Sequence, residues 1–532
     1  MKKLLSSFIL SISCCFAAFS ADINELKMAI QQIQQAMVWI DQMYVDSIDR
    51  QKVAADAIRG MLKELDPHSN YLTPDEVKEL NQDLGGNFEG IGVRYQMIND
   101  TLVVMSTITG GPSEKAGVMA GDQIVVVSDT TIAGVKMSNK EIQRRLRGPK
   151  GSKVDILIRR SGESEYIPFQ LVRDKIPVLS VDAVYMVDDH TGYIKISRFA
   201  KTTFEEMENA IDSLHTKGMK HLILDLQNNG GGYLETAVQM AGKFLAKNEL
   251  VVYTKGRNEQ RMDYKTREKG SMQNGRLVVL IDEHSASASE ILSGAMQDLD
   301  RGVIVGRRSF GKGLVQRPIP LIGGAMIRLT VSHYYTPSGR CIQKPYEKGQ
   351  HESYRSDIDN RYKKGEFTSA DSIHFADSLR YETRAGRTVY GGGGIMPDVF
   401  VPLDTTKTTP THRNIIAKGT FNRFVTDHYL THSKQLHNDY KALDDFIARF
   451  EVSDDMLHDL HQRAIADSVK IVDEELERSA SILKLQIKAS LASNLFEGEG
   501  GYYRIINDMN EIYRKGVEII SDEKEYQKLL KK

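Results

Sequence analysis

Cysteine is scarce in this chain of 532 residues. Two of the three, Cys14 and Cys15, fall in an apolar run at the N-terminus, so the chain without that run keeps only Cys341. One cysteine cannot form a disulfide within a molecule, which excludes a small disulfide-stapled fold and requires ordinary hydrophobic cores. Cys341 also lacks the surroundings of a catalytic thiol, and we expect it to be inert.

An excess of charge of one sign is also missing. The chain has 70 Lys and Arg against 71 Asp and Glu, which gives a net charge of -1. Nucleic acids and anionic membranes are normally bound by a basic surplus, so neither is expected as a partner. There is no internal repeat, low-complexity tract or long heptad run. A chain of this length is expected to fold as several domains.

The N-terminus has the pattern of an export signal. Residues 1–3 are Met-Lys-Lys, and residues 4–19 are apolar but short for a membrane span. Residues 18–20 are Ala-Phe-Ser, and we expect cleavage after Ser20. The alternatives are an uncleaved anchor or lipidation at Cys14 or Cys15, whose preceding residues fit a lipidation site poorly. The protein is therefore expected in the periplasm or cell envelope.

Changes in pattern divide the rest of the chain into four regions. Residues 21–85 show helical spacing, and residues 86–172 contain short β-type runs around one predicted helix, 139–147. Residues 173–405 alternate strands and helices, which predicts parallel βαβ units and an α/β fold. Residues 406–532 are helical and highly charged.

A serine stands where a predicted strand, 277–282, turns into a predicted helix. Ser287 and Glu290 form the S-x-x-E pattern of a capping box, which places Ser287 at the helix N-terminus. Free N–H groups and the helix dipole would stabilise a developing negative charge there. Ser287 is either a simple N-cap or a nucleophile, and Ser285 and Ser289 are rival nucleophiles.

A lysine lies between two glycines, Gly311 and Gly313, which allow backbone and substrate to approach closely. Residues 314–316 begin a predicted strand, so Lys312 and Gln316 are expected on one face, where the Gln316 amide could hold the amine. Lysine acts as a base only when neutral, so desolvation must lower its pKa from about 10.4 towards 7 or 8. The alternative is a surface lysine in a glycine turn.

A glycine run, residues 230–232, joins a predicted strand, 221–226, to a predicted helix, 233–246. Such a run can direct backbone N–H groups at an oxyanion, or it can be only a tight turn. It lacks the lysine of a phosphate-binding loop and the spacing of a dinucleotide fingerprint.

Taken in order, these three segments resemble the C-terminal processing peptidases, serine endopeptidases with a serine–lysine dyad. The pattern of that family runs D-L-R-x-N-P-G-G, then S-A-S-A-S-E-I, then F-G-K-G-x-V-Q; residues 285–291 and 310–316 match the last two in full. The first motif departs from it, because Gln227 stands for arginine and Gly230 for proline. The resemblance extends over about residues 25–404.

The resemblance implies a crotonase/ClpP-like αββ protease core with an inserted PDZ domain and helical N- and C-terminal regions. It also implies site residues, with Ser287 as nucleophile, Lys312 as base and Gln316 orienting the lysine. The N–H groups of Ala288 and of Gly231 or Gly232 would form the oxyanion hole. Asp298, further along the helix, would be a supporting residue.

The inserted domain would bind substrate. Residues Gly90, Ile91, Gly92 and Val93 resemble the loop whose N–H groups hold a peptide's terminal carboxylate, and the next strand would take the peptide by β-addition. Arg147 either signals ligand occupancy to the core or is a solvated residue at a helix end.

The expected activity is an exported endopeptidase that engages the C-terminus of a protein and cleaves near it. One alternative keeps the fold but uses a histidine base, His68 first and His284 second. Another is a catalytically inactive PDZ adaptor. No metal-ligand spacing is present and no cofactor is implied. The C-terminal helical region is either a surface for a homo-oligomer or adaptor protein, or a cap over the core.

Overall fold

The computed structural model describes residues 2–496, 498 and 500–531, with side chains from residue 23 onward. The side chains of the expected export signal, including Cys14 and Cys15, lie outside the described residues. By compactness the chain divides into two units. The first comprises residues 1–73, 318–329 and 346–351, and the second comprises residues 74–317, 330–345 and 352–532.

The helices are distributed along the whole chain. They are α1 Lys2–Met43, α2 Arg50–Lys63, α3 Pro74–Gly85, α4 Pro112–Ala116, α5 Asn139–Leu146, α6 Thr203–Thr216, α7 Leu234–Gly242, α8 Ala288–Asp298, α9 His351–Arg355, α10 Asp357–Lys363, α11 Pro410–Ala417, α12 Thr420–Asp439, α13 Leu443–Arg449, α14 Asp454–Ala466, α15 Asp473–Leu495, α16 Gly501–Ile506, α17 Glu511–Ser521 and α18 Glu523–Leu529. Short 3₁₀ turns are formed by Ile322–Gly324, Ala370–Ser372, Asp377–Leu379 and Asn507–Met509.

The strands lie between residues 70 and 400. They are β1 Asn70–Leu72, β2 Asn87–Gly90, β3 Val93–Ile98, β4 Thr101–Thr107, β5 Gln123–Val127, β6 Thr130–Thr131, β7 Lys153–Arg159, β8 Ile167–Val172, β9 Asp174–Pro177, β10 Val181–Met186, β11 Thr191–Ile196, β12 His221–Asp225, β13 Leu250–Lys255, β14 Met262–Lys265, β15 Leu277–Ile281, β16 Val303–Gly306, β17 Leu314–Pro320, β18 Met326–Tyr335, β19 Arg380–Glu382, β20 Thr388–Tyr390 and β21 Val399–Phe400.

In the first unit, helix α2 has an aspartate cap, since Asp49 accepts hydrogen bonds from the N–H groups of Gln51 and Lys52. Strand β1 pairs antiparallel with the first residues of β18, with Asn70 opposite Arg328. Among residues 23–531, no helix is long and apolar enough to cross a membrane.

Within the second unit, residues 86–172 form a small module with its own core. Its antiparallel sheet has the order β3-β4-β5-β7-β8, so β3 is an edge strand. The buried core of this module comprises apolar residues from these strands and from α5, including Leu102, Ile124, Ile142 and Ile156.

A second six-stranded sheet of this unit, called the large sheet below, has the order β10-β11-β12-β15-β16-β21. Its strands from β11 onward pair in parallel, and β10 pairs antiparallel with β11. One face packs on α6, α7 and α8, with buried residues such as Met207, Met240 and Leu292. The other face packs on α17 and α18 through Ile512, Ile519, Ile520 and Tyr526. Both faces are covered, as parallel sheets require.

The C-terminal helical region also has a core of its own. Aromatic residues dominate it, and the rings of Phe446 and Phe450 stack with centroids 4.5 Å apart. Met105 of β4 is buried in the same cluster, and the Thr426 hydroxyl donates to Gln96 Oε1 of β3 at 2.5 Å. Helix α12 therefore docks on the small module, while α17 and α18 cover the large sheet.

The predicted α/β class and the helical C-terminal region are confirmed. Three details differ from the sequence expectation. The helix expected over 233–246 ends at Gly242, helix α4 was not anticipated, and β13 pairs antiparallel with β14 and β18 rather than forming a βαβ unit. The pairing of β13 with β18 joins residues far apart in the chain, and local periodicity carries no information about such a pairing.

Candidate active site

The three serines of residues 285–289 have different environments. The Ser285 hydroxyl is buried and donates to the carbonyl of Leu226 at 2.8 Å. The Ser289 hydroxyl is buried and donates to the carbonyl of Asn229 at 2.8 Å. Ser287 is the one that is partly exposed. Ser285 and Ser289 thus fasten residues 226–232, called the glycine loop below, to the start of α8. Ser287 is the serine that a substrate can reach.

Ser287 has an unusual backbone conformation. Its φ of 56° and ψ of -111° are outside the regions that side-chain-bearing residues prefer. The Tyr334 hydroxyl donates to the Ser287 carbonyl at 3.2 Å, and the Ser287 N–H donates to Glu290 Oε2 at 2.8 Å. Burial raises the pKa of Tyr334 well above its usual value, which keeps the phenol a donor. These contacts hold a sharp strand-to-helix turn with Ser287 at its apex.

Glu290 joins the serine segment to the lysine segment. Its side chain is fully buried, and it accepts from the N–H of Gly311 at 2.7 Å and from the Ser309 hydroxyl at 2.5 Å through Oε1. Oε2 accepts from the N–H groups of both Ser287 and Lys312, at 2.8 and 2.9 Å. Because one oxygen receives both N–H groups, the backbones of Ser287 and Lys312 lie within two hydrogen-bond lengths of each other. Burial raises the pKa of Glu290.

The lysine loop is held from its other side by residues 343 and 344. The Gly313 N–H donates to Gln343 Oε1 at 2.8 Å, and the Lys344 N–H donates to the Gly311 carbonyl at 2.9 Å. The Lys344 ammonium lies 3.9 Å from the centre of the Phe310 ring and 2.9 Å from Asp357 Oδ2. Burial lowers the pKa of Lys344.

Lys312 itself is partly buried and precedes the strand rather than lying in it, since β17 begins at Leu314. Gln316 is also partly buried. Its Nε2 lies 3.5 Å from both the Leu314 carbonyl and the Thr330 hydroxyl, which are long contacts. The role of Gln316 in orienting Lys312 stays a prediction.

The glycine loop lies directly against Ser287. A side chain at Gly231, whose φ is 99°, would meet the Ser287 Cβ at 2.8 Å and the Ala288 nitrogen at 2.9 Å. Gly232 is equally confined, because a Cβ there would meet the Phe199 carbonyl oxygen at 2.2 Å. The Gly231 N–H donates to Asn229 Oδ1 at 2.9 Å, so it must exchange that bond to serve an oxyanion. Ala288 is the first residue of α8, and its N–H has no acceptor within the helix.

Asp298 lies at the far end of α8. With a rise of about 1.5 Å per residue, roughly 16 Å of helix separates it from Ser287. It is buried, pairs with Arg340 at 2.6 Å and accepts from the Ser338 N–H at 2.9 Å. Asp298 therefore anchors the segment after β18.

The two histidine candidates differ in setting. His284 is exposed, and its N–H donates to Asp282 Oδ1 at 3.0 Å. His68 belongs to the first unit, where its N–H donates to Asp66 Oδ1 at 2.9 Å.

In the small module, residues 90–93 connect β2 to the edge strand β3. The Ile91 carbonyl accepts from the N–H and the hydroxyl of Ser113, and the Gly92 carbonyl accepts from the Ile108 N–H. Carbonyl and N–H point in opposite directions across a trans peptide, so the N–H groups of Gly92 and Val93 point away from these partners. That is the arrangement a carboxylate-binding loop needs.

Arg147 is the C-cap residue of α5, beside this loop. Its guanidinium lies 4.8 Å from the centre of the Phe88 ring, and a side chain at Gly90 would contact both residues. The arginine is thus stacked on β2, in contrast to a helix-end residue held by solvent alone.

Sequence reasoning missed several residues of this site. Glu290 was recognised only as a helix cap, although the buried carboxylate also organises the lysine loop. Tyr334, Gln343 and Lys344 follow the lysine motif by many residues, and they carry no local pattern. The run of Gly-Lys-Gly indicated that another backbone segment approaches closely, but it could not predict which segment that is.

Models of known protein families match four segments of the chain. Residues 190–349 match peptidase family S41, residues 103–160 match the PDZ domain, and residues 17–76 match the activating protease CtpB N-terminal domain. Residues 411–498 match a family of unknown function, DUF8443.

Curated relatives carry the same assignment. A carboxy-terminal-processing protease from Bartonella bacilliformis is 39% identical over 56% of this chain and 69% of that protein. Carboxy-terminal processing protease CtpB from Bacillus subtilis is 34% identical over 60% of this chain and 67% of its own length. Carboxy-terminal processing protease CtpA from the same organism is 33% identical over 68% of this chain and 78% of its own length. The chain therefore belongs to peptidase family S41, the serine-type carboxy-terminal processing proteases, and it carries a PDZ domain.

Proposed function

We propose that this protease cleaves peptide bonds with Ser287 as nucleophile and Lys312 as general base. The supporting observation is Glu290, whose single oxygen Oε2 accepts the N–H groups of both residues. Ser287 attacks the scissile carbonyl while a neutral Lys312 amine takes its proton, and the same proton passes to the leaving amine as the C–N bond breaks. Water, deprotonated by Lys312, then cleaves the acyl-enzyme and regenerates the serine hydroxyl. The N–H groups of Ala288 and of Gly231 or Gly232 receive the oxyanion.

The dyad is tested by substitution. Ser287→Ala and Lys312→Ala should each lower peptide hydrolysis by at least about a hundredfold without unfolding the chain. Ser271→Ala and Lys217→Ala are matched controls, because both side chains are exposed on the surface. A Lys312→Ala variant with substantial activity, together with an inactive His68→Ala or His284→Ala variant, would replace the lysine by a histidine base. Full activity of Ser287→Ala would refute the assignment of the nucleophile.

The PDZ domain is proposed to select substrates by their C-termini. The orientation of the N–H groups of Gly92 and Val93 supports this, as does the open edge of β3, which can accept a peptide strand. A tail with small apolar final residues should bind and be cut well. The same tail amidated should bind about ten- to a hundredfold more weakly, because the charge-assisted hydrogen bonds of its terminal carboxylate are lost. A tail ending in Asp-Asp should also be bound and cut poorly, because apolar pockets beside the loop favour uncharged final residues. Equal behaviour of the three tails would identify a general endopeptidase.

Export to the periplasm or cell envelope is also proposed, from the pattern of residues 1–20. Fractionation of cells that produce the full chain, with N-terminal sequencing of the product, tests this. A product that begins at Ala21 in the envelope fraction supports the proposal, and an intact Met1 in the cytoplasm contradicts it.

Self-association or an adaptor bound through residues 406–532 remains a proposal about partners. The charged surface of this region supports it, whereas the cover that α17 and α18 give the large sheet explains part of the region without a partner. Light scattering on the purified chain measures the oligomeric state directly.

A further inference from the structure

A buried carboxylate that has no role in the proposed mechanism lies shortly before the glycine loop in the chain. Asp225 ends β12, five residues before Gly230, and it is 1% exposed. An ionised carboxylate at such a depth requires charged or hydrogen-bonding partners. The partners of Asp225 therefore bear on how the loop is held.

Lys195 is the cationic partner. It lies directly opposite Asp225 in the register of β11 and β12, and its Nζ is 3.0 Å from Asp225 Oδ1. Asp225 Oδ2 accepts from the Tyr193 hydroxyl at 2.6 Å and from Gln227 Nε2 at 3.1 Å. The lysine side chain is 6% exposed.

Lys195 also donates to the main chain of the loop. Its Nζ donates to the carbonyl of Gln227, while the N–H of Gln227 donates to Asp225 Oδ1 at 2.8 Å. The N–H of Asn228 belongs to the same peptide plane as that carbonyl and donates to both carboxylate oxygens of Asp282, at 2.9 and 3.0 Å. One peptide unit is thus clamped between a cation on one side and an anion on the other.

The clamped peptide between residues 227 and 228 sets the path of the residues that follow it in the glycine loop. Asn228 adopts a positive φ of 57°, and Gly231 then comes to lie against Ser287 and Ala288. Asp282, the anionic side of the clamp, also accepts from the N–H of Ser285 at 3.1 Å, close to the nucleophile. The lysine therefore fixes the start of the loop, and the loop fixes the donors that face Ser287.

We propose that Lys195 is a positioning residue for hydrolysis, which holds the 227–228 peptide plane so that the glycine loop can receive the oxyanion. The proposal rests on the proposed roles of Ser287 and the glycine loop. Lys195 does not touch substrate, so its loss should impair the chemical step and leave peptide binding intact. This distinguishes it from a residue of the substrate cleft.

The side chain at position 227 offers a way to restore the charge. Gln227 Nε2 already reaches Asp225 Oδ2, so an arginine at 227 would direct its guanidinium at the same carboxylate. Four proteins are compared with wild type: Lys195→Met, Gln227→Arg, the double variant, and Lys201→Met. Lys201 is an exposed lysine whose amine lies 6.0 Å from the Tyr233 ring, just after the loop, which makes it a matched control.

Lys195→Met should lower kcat by at least about tenfold with KM within about twofold, since losing one oxyanion donor costs about a hundred- to a thousandfold. A peptide aldehyde, which forms a tetrahedral adduct with the serine, should lose affinity by a similar factor, while binding of an uncleavable peptide is unchanged. The double variant should recover most of the lost kcat, and Lys201→Met should match wild type.

A folded Lys195→Met protein with wild-type kcat would overturn the inference, provided Ser287→Ala is inactive. Activity in Ser287→Ala would instead refute the proposed function on which it rests. If Lys195→Met does not fold, the double variant decides. A folded double variant with restored kcat supports the positioning role, and one that is unfolded or inactive overturns it.

Discussion

Ser287 stores strain at the apex of its turn. A residue with a side chain at φ 56° and ψ -111° costs about 1–3 kcal/mol, and glycine adopts such angles freely. Tyr334 and Glu290 impose this conformation through the carbonyl and N–H of Ser287.

The strain predicts an inversion of the usual order of stability. Ser287→Gly and Ser287→Ala should both be inactive, but the glycine variant should be more stable by about 1 kcal/mol, because it relieves the strained angles. Urea unfolding of the two variants measures the difference. An alanine variant that is the more stable one, as at an ordinary position, would contradict the assignment of strain.

Glu290 is a second residue whose effect can be isolated. In Glu290→Gln one oxygen is replaced by an NH₂ group that cannot accept from Ser287, Lys312 or Gly311. We expect kcat to fall about ten- to a hundredfold, because the serine and lysine segments are no longer held in place relative to each other. The free energy of unfolding should fall by about 1–3 kcal/mol as buried N–H groups lose an acceptor.

Glu283→Gln is the control for this variant. Glu283 is also buried, but it pairs with Arg307 at 2.7 Å rather than with the N–H groups of the site. It should lose stability and retain most of its kcat. Equal losses of kcat in both variants would mean that Glu290 acts only through stability.

The pKa of Glu290 gives a prediction in pH. Burial raises it in the folded state, so the folded chain holds this proton at higher pH than the unfolded chain does. The stability that Glu290 contributes is therefore complete below the unfolded pKa of about 4.3 and is lost as pH rises through the folded pKa. The gap in unfolding free energy between wild type and Glu290→Gln should be larger at about pH 4 than at about pH 8. A gap that is larger at pH 8 would contradict the direction of the shift.

At this scale the sequence predicted which segments carry chemistry, and the capping box and the family resemblance favoured Ser287 within the serine segment. By residue type alone, the motif at 285–290 holds three serines with equal claims, and the burial of Ser285 and Ser289 separates them from Ser287 in the structure. The departure at Gln227 was visible, but the lysine that meets Asp225 lies on another strand. A cross-strand partner depends on register, which one strand's sequence does not determine.

At the scale of elements, we propose that a peptide added to the edge strand β3 lies between β3 and helix α5, in what is called the groove here. The Tyr95 hydroxyl on β3 donates to Asn139 Oδ1 on α5 at 2.6 Å, so one hydrogen bond joins the two sides of this proposed groove. Burial raises the pKa of Tyr95, which keeps its hydroxyl protonated.

A tail that enters this groove must break that bond. Tyr95→Phe should therefore bind a C-terminal peptide about two- to tenfold more tightly, the equivalent of one hydrogen bond of roughly 0.5–1.5 kcal/mol. Titration calorimetry with Tyr166→Phe as control tests this, because Tyr166 is 57% exposed in the same module. Unchanged or weaker binding by Tyr95→Phe would mean that the bond does not obstruct the groove.

Elements with strong local signals were predicted from the sequence, and those that depend on distant pairing were not. Helix α8 was recognisable from its capping box and apolar face, and β15 from its run of apolar residues. The long strand β18 is an exception, because it was not predicted although Ile327, Leu329 and Val331 alternate with polar residues as in a strand. Its pairing with β1 and β13, which lie far from it in the chain, could not be predicted from that pattern.

At the scale of the whole molecule, the C-terminal helical region contacts both working parts of the second unit. Met105 of the PDZ domain is 7% exposed within the helical core, and a side chain at Gly121 would lie 3.7 Å from Leu430 of α12. Neither contact could be foreseen from residues 406–532 alone, whose pattern indicated helices but not what they cover.

This docking should be separable from the fold of the PDZ domain. Met105→Ala removes a buried side chain and should cost about 2–5 kcal/mol locally. Hydrogen exchange should rise in α12 and less in β5 and β7, while Met119→Ala, at a residue 56% exposed, leaves exchange unchanged. Exchange that rises uniformly over the PDZ domain would show instead that Met105 supports that domain itself.

The cover that α17 gives the large sheet has a consequence for how the enzyme is made. Ala183, Val278, Leu280 and Val303 face Ile512, Ile519 and Ile520, which are synthesised long after them. During synthesis one side of this sheet remains bare, and the strands beside Ser287 lack their final support. We therefore expect hydrolysis to begin only when residues 511–529 have been made, so a nascent chain should be poorly equipped to digest its neighbours.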